Sequence, residues 1–333
     1  MCLTSPAISS KKLKHVHLDL NVVKLLSTSK TKGSVQQQLQ QLVYVSKITD
    51  FETRMRNDNA AKFAWWSSHR NEESGSWLRV KPLYTKLVLA NNVYVTALRY
   101  RCWMPSPQYI AGSKCECGKI LDSQCHHLAT ACGRGGQRIE THNSMKHELD
   151  NILCYAGYNT KLEERNLFAD NGVNGLDAEN LKRPDISIIH PVNSVHTRLL
   201  LDVGITGTVL ATKGAAAEKY HREKISKYQR DASPRGFGFL PIIFESTGLM
   251  HPEAKAFLKR VAKKASEIHR IDEEVLFKYF LKRLSVTLVR SIAHAIIQRG
   301  AKVNSHSSIE SDPGYLADVV TSARCPGSDS MEE

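Results

Sequence analysis

Two aspartates stand where an acid is costly to place. Asp202 lies inside the apolar run Leu199-Leu-Leu-Asp-Val203, and a carboxylate among such neighbours has to be paired or bound to a cation. Asp185 follows Arg183-Pro184, where the proline fixes its own backbone angle and biases Arg183 towards an extended conformation. Two strands of one hairpin, turning at residues 191–194, would bring the acids side by side. Hard oxygen ligands in a pair suit Mg²⁺ or Mn²⁺. Such an ion lowers the pKa of a bound water and stabilises charge on a phosphate under attack, and a nearby lysine would steady that charge. Taken singly, Asp185 reads equally well as a turn residue and Asp202 as the partner of an arginine; together they point to a site.

A second cluster precedes them. Cys115-Glu-Cys117-Gly118 is followed by His126-His127 and then Cys132. Cys115, Cys117, His127 and Cys132 offer three thiolates and an imidazole to a tetrahedral zinc ion, a closed structural site. Cys125 or His126 could substitute, and the single-residue gap of Cys-x-Cys is tighter than the usual two to four. The alternative is a set of buried free cysteines beside surface histidines, but the density of ligands in so short a segment favours a metal. Without an ion the segment has too few apolar residues to fold alone.

These residues need elements to hold them. Residues 139–155 have the apolar spacing of an amphipathic helix, stopped by Gly157. Strands are expected at 159–168, 185–190 and 198–205, separated by Asn-Gly loops at 171–175 and by the turn at 191–194. A charged helix at 211–228, a buried strand at 237–244 and helices at 253–268 and 273–299 follow. The order predicts an α/β fold with a mixed sheet covered by helices. Upstream, residues 48–66 have helix-like spacing, residues 83–101 read as one helix, and a short helix is expected at 18–26. The expected organisation is a polar basic leader at 1–47, a helical region at 48–113, the Cys/His knuckle at 114–136, the sheet-bearing core at 137–250, packing helices at 251–300 and a disordered tail at 301–333.

The chain has 333 residues and a formal net charge of +13, from 46 Lys and Arg against 33 Asp and Glu. That balance favours a polyanionic partner, because basic side chains displace counterions from phosphate, and it argues against an interaction protein with no nucleic-acid role. No apolar run is long enough to span a membrane, and residues 1–6 lack the form of a signal peptide, so a nuclear or cytoplasmic location is expected.

In order, Cys-x-Cys-Gly, His127-x4-Cys132, Gly135-Gly-Gln-Arg138, His142-Asn143, Arg-Pro-Asp185, Leu-Asp202-Val and Glu245-Ser-Thr-Gly248 resemble a known domain. It is the restriction-endonuclease-like domain at the C-terminal end of non-LTR retrotransposon reverse transcriptases, in the PD-(D/E)XK superfamily. The likeness covers roughly residues 70–300, from Ser76-Trp77-Leu78 to Arg283-Leu-Ser-Val286. It implies a restriction-endonuclease-like core with a zinc knuckle before it, and an enzyme that nicks target DNA. DNA would be the partner, with RNA of the parent element as a second. The resemblance implies Asp185 and Asp202 as magnesium ligands, Glu148 as the helix acid with Asp150 behind it, and Glu163 in the first strand as an acid lining the site. The superfamily's lysine two residues after the second acid is here Gly204. Lys224, four residues before Tyr228 on the following helix, is expected to replace it, with Lys227 as the second choice. Either lysine could instead simply touch DNA phosphates. Glu245 could support the site or pair with an arginine. No Tyr/Phe-x-Asp-Asp polymerase motif occurs, so the expected context is a C-terminal part of a longer protein, a truncated element or a stand-alone descendant. The alternative function is a zinc-containing nucleic-acid-binding module whose nuclease has decayed.

Overall fold

The structure is a computed structural model that describes residues 35–105, 112–134, 136–165, 167–168, 183–189, 196–207 and 212–304. The short helix expected at 18–26, the Asn-Gly loops, the turn at 191–194 and the tail beyond 304 lie outside these residues. The chain forms two compact units, Met1–Phe63 and Ala64–Glu333.

In the first unit, helix α1 (Val35–Asp58) takes in the Gln-rich stretch 36–42, which lies within the expected leader at 1–47. Glutamine is a good helix former, so polarity here does not mean a loose chain. Asn59 ends the run: its side-chain oxygen accepts from the Lys62 N–H at 2.8 Å and caps helix α2 (Ala60–His69), which belongs to the first unit only as far as Phe63 and from Ala64 on to the second.

The second unit is built on helices α3 (Asn91–Arg101), α4 (Gln137–Tyr155), α5 (Ala215–Ala232), α6 (Pro252–His269) and α7 (Glu273–Asn304). Its sheet has strands β1 (Asn159–Leu162), β2 (Ile186–Ile189), β3 (Arg198–Thr206) and β4 (Phe237–Glu245), in the order β1-β2-β3-β4. The first three pair antiparallel, and β4 runs parallel to β3 after the α5 crossover. The fold is thus the mixed α/β class expected, with helices on both faces.

Alternation along the strands separates the faces. Leu201 and Val203, with Ile186, Ile188 and Ile242, join Leu149 of α4, Phe257 of α6 and Phe280 of α7 in the main core. Leu200 points the other way and packs with Tyr228 and Ala232 of α5 and with Phe168. Asp202 has the parity of Leu200 and so faces α5.

Two expected elements are shorter than their patterns. Of 83–101 only Asn91–Arg101 is a continuous helix, preceded by a short 3-10 turn at Thr85–Leu87. Arg290 of α7 donates to the carbonyls of Lys86 and Val88 at 2.6 and 3.0 Å, a tertiary tie that satisfies these carbonyls in place of a helix. Strand β1 stops at Leu162, because Glu163 turns into positive φ (48°).

The two segments at the outer ends of the resemblance, Ser76-Trp77-Leu78 and Arg283-Leu-Ser-Val286, meet in space. The Trp77 N–H donates to Ser285 Oγ at 3.2 Å, and Trp77 packs with Val286, Val93 and Ala293. Among the described residues, no helix is long and apolar enough to cross a membrane.

Candidate metal centre and acidic site

The Cys/His segment is folded by local hydrogen bonds. The Gly118 N–H donates to the Cys115 carbonyl at 2.7 Å, with Gly118 at φ 85°, and this turn brings Cys117 back beside Cys115. Asp122 accepts from the N–H groups of His126 and His127 at 2.7 and 2.8 Å, starting the helical turn that aims His127. Cys117 Sγ is 3.1 Å from His127 Nε2, and Cys115 Sγ is 3.5 Å from Cys132 Sγ. All four ligand atoms lie within 4.8 Å of one another, so this group could hold a metal ion. Zinc–sulfur bonds of about 2.3 Å at tetrahedral angles put neighbouring ligand atoms roughly 3.7 Å apart, so only small shifts are needed.

The two alternative ligands are accounted for. His126 packs its ring against Trp65, Trp103 and Tyr100, with centroids 4.7, 4.8 and 5.8 Å away. Cys125 is buried at a positive φ of 62° and is not in the ligand group. Burial pushes the Cys115 thiol up, whereas a hydrogen bond from the Lys119 backbone draws the half-buried Cys117 thiol down.

The acidic site forms where β2 begins and β3 passes. The pairing Ile186↔Leu201, continued by one residue, sets Asp185 opposite Asp202. Asp185 is locked there, since its N–H donates to the Leu201 carbonyl at 3.0 Å. Its Oδ2 accepts from the Val203 N–H at 2.6 Å and lies 3.0 Å from His142 Nε2 on α4. That bond to Asp185 draws the His142 pKa up. Asp202 is almost fully buried, and Lys224 Nζ of α5 lies 2.6 Å from its Oδ2. Burial raises the Asp202 pKa, opposed by Lys224 and reinforced by Asp185. Burial alone would lower the Lys224 pKa, but the charge of Asp202, its hydrogen bond to Lys224, and Tyr220 and Tyr228 together outweigh it and the net shift is upward. Tyr228 completes this wall, its hydroxyl pushed up to about 12 by burial and then by the Asp202 charge.

The position of the lysine has a steric cause. A Cβ on Gly204 would lie 2.6 Å from Tyr220 Cε1 and 2.6 Å from Ile243 Cδ1. Helix α5 therefore presses onto β3 at Gly204, and Lys224, one turn beyond Tyr220, reaches Asp202. Lys227 instead places its Nζ 4.9 Å from the Tyr228 ring centroid.

The other expected acids have different partners. Glu148 points away, its Oε1 2.5 Å from Nε of Arg283 on α7. On α4, His142 meets Asp185 and Lys146, one turn on, meets Glu163; Glu148, two residues past Lys146, is rotated about 200° around the helix. Glu163 sits just past β1 and pairs with the buried Lys146, which holds its carboxyl low. Asp150 accepts from the Thr160 hydroxyl at 2.6 Å. Glu245 is buried and accepts from the Ala217 N–H at 3.4 Å, in the first turn of α5, where a negative charge complements the helix dipole.

Three side chains of these sites had no role from sequence: His142, Lys146 and Arg299, whose Nη1 lies 2.7 Å from Cys132 Sγ. The i, i+4 spacing of His142 and Lys146 was the available signal for the first two.

No protein-family model matches the chain. No curated protein sequence matches it significantly. The likeness to the retrotransposon domain rests on this chain's own residues.

Proposed function

We propose that this protein is a metal-dependent DNA endonuclease with a restriction-endonuclease-like core, akin to the C-terminal domains of non-LTR retrotransposon reverse transcriptases, and that zinc occupies its Cys/His cluster. The observation that carries the reading is the grouping of Asp185, Asp202 and Lys224: two acids opposite one another on neighbouring strands, with an ammonium 2.6 Å from the buried one.

Mg²⁺ or Mn²⁺ held by Asp185 and Asp202 would supply an activated water and neutralise phosphate charge. Lys224, oriented by Asp202 and enclosed by Tyr220 and Tyr228, would donate to a phosphate oxygen as charge builds there. His142 and the Val203 N–H hold Asp185 in one orientation. Glu163 balances the charge of Lys146. The formal net charge of +13 fits DNA as the partner, and RNA of the parent element by the same chemistry. The cluster of Cys115, Cys117, His127 and Cys132 leaves no open position, so its zinc would be structural. A nuclear or cytoplasmic location agrees with such a partner.

The test is nicking of supercoiled plasmid by the purified chain in Mg²⁺ or Mn²⁺. Activity is expected, and is expected to vanish in Asp185→Ala and Asp202→Ala while DNA binding persists. Nicking that survives both substitutions overturns the site. An inactive wild-type chain with intact, salt-sensitive DNA binding instead supports a decayed nucleic-acid-binding module.

A further inference from the structure

We infer that Arg299 is the built-in counter-charge of the Cys115/Cys117/His127/Cys132 centre, so that the ion and the C-terminal helix are held as one unit. The inference rests on the metal reading of that cluster.

Arg299 lies on α7, 167 residues beyond Cys132, the ligand nearest to it in sequence, yet it is only 5% exposed. Its Nη1 donates to Cys132 Sγ at 2.7 Å and to Cys115 Sγ at 3.5 Å. Its Nε donates to Gln137 Oε1 at 2.9 Å, and Gln137 opens helix α4. Gln137 in turn donates to Gln298 Oε1 at 3.3 Å, beside Arg299 on α7. Among the described residues Arg299 has no carboxylate partner.

A buried guanidinium needs a compensating charge. A divalent ion with three thiolates and a neutral imidazole carries about one net negative charge. Arg299 cancels it, at the edge formed by the two buried sulfurs. The same contact has a mechanical consequence: Arg299 ties the far end of α7 and the start of α4 to the ligand set, so loss of the ion frees that end of α7.

The test uses the full chain as wild type, Arg299→Gln and Arg299→Lys. Zinc release to a chelator is expected to be about 10–100-fold faster in R299Q, the range seen when a partner of a metal ligand is removed, with R299K between the two. In the cobalt(II)-substituted proteins, the sulfur-to-cobalt charge-transfer band is expected to move to lower energy in R299Q and part of the way back in R299K, because an unneutralised thiolate is the better electron donor. Removing zinc from wild type is expected to speed amide exchange across residues 296–304. A folded R299Q with the wild-type release rate and an unshifted band overturns the inference. If R299Q does not fold, Gln137→Leu replaces it: severalfold faster release supports the inference, and an unchanged rate overturns it. A wild-type chain that binds neither zinc nor cobalt overturns the metal reading itself, and is told apart by that result.

Discussion

Tyr220 stands in the space that any side chain at Gly204 would need, 2.6 Å from where its Cβ would be. A lysine at 204 would displace a packed aromatic ring. Gly204→Lys is therefore expected to destabilise the protein by about 1–3 kcal/mol in urea unfolding, the usual cost of overpacking. The double variant Gly204→Lys/Lys224→Ala is expected to stay inactive in plasmid nicking. Recovered nicking would mean that the steric account of the lysine's position is wrong.

Lys224 and Asp202 form a pair in which both side chains are largely enclosed, 17% and 5% exposed. Removing one partner of a buried pair strands the other, at a cost of about 3–5 kcal/mol. Lys224→Met is expected to cost that much, and the further change Asp202→Asn to recover a good part of it. Urea midpoints for the two single variants and the double give the coupling; strictly additive losses would show that the pair does not interact.

What could be read from sequence was local in origin. The cysteines, His127 and Gly118 lie within one short segment, so spacing alone announced a ligand set. The two acids were legible because one is buried by its own strand neighbours and both belong to strands that pair. What stayed hidden was set by distant contacts. The stretch 83–90 has helical periodicity, but Arg290 from α7 takes two of its carbonyls. Glu148 has the right type and the right helix, but its phase faces Arg283. Nothing near Arg299 in sequence marks it as a neighbour of Cys132.

Glu148→Gln separates two roles for the helix acid. Since Glu148 pairs with Arg283, 14% exposed on each side, the substitution is expected to lower stability by about 3 kcal/mol and to leave the nicking rate of the folded protein within about twofold. Thermal melts and single-turnover nicking check this. A large rate loss with unchanged stability would return Glu148 to the active site.

His142 makes the opposite prediction. Its Nε2 is 3.0 Å from Asp185 Oδ2, and it has no part in the core. His142→Ala is expected to slow nicking about 10–100-fold with DNA binding and melting temperature nearly unchanged, as for other groups that orient a metal ligand. Gln at this position keeps a donor within reach and is expected to restore part of the rate. Equal rates for His, Ala and Gln would remove His142 from the site.

Stability should fall as the solution is acidified through the histidine range, and one buried and one half-buried ring contribute to the fall. His69 is buried beside Arg101, and burial first, then that charge, push its pKa down to about 3. Half-buried His294, near Arg290, is pushed down to about 4 for the same reasons. In the unfolded chain a histidine takes up its proton near 6.5. Between 6.5 and the folded values the unfolded state binds protons that the native state refuses, so acid draws the equilibrium towards unfolding. Above 6.5 both states are neutral at these positions and the effect disappears. Each ring contributes a slope of at most about 1.4 kcal/mol per pH unit, less for His294 because water reaches it. Urea midpoints between pH 7.5 and pH 4.5 are expected to fall, and to fall less steeply in His69→Gln and least in His69→Gln/His294→Gln. A double variant with the full wild-type slope would show that other groups govern the acid limit.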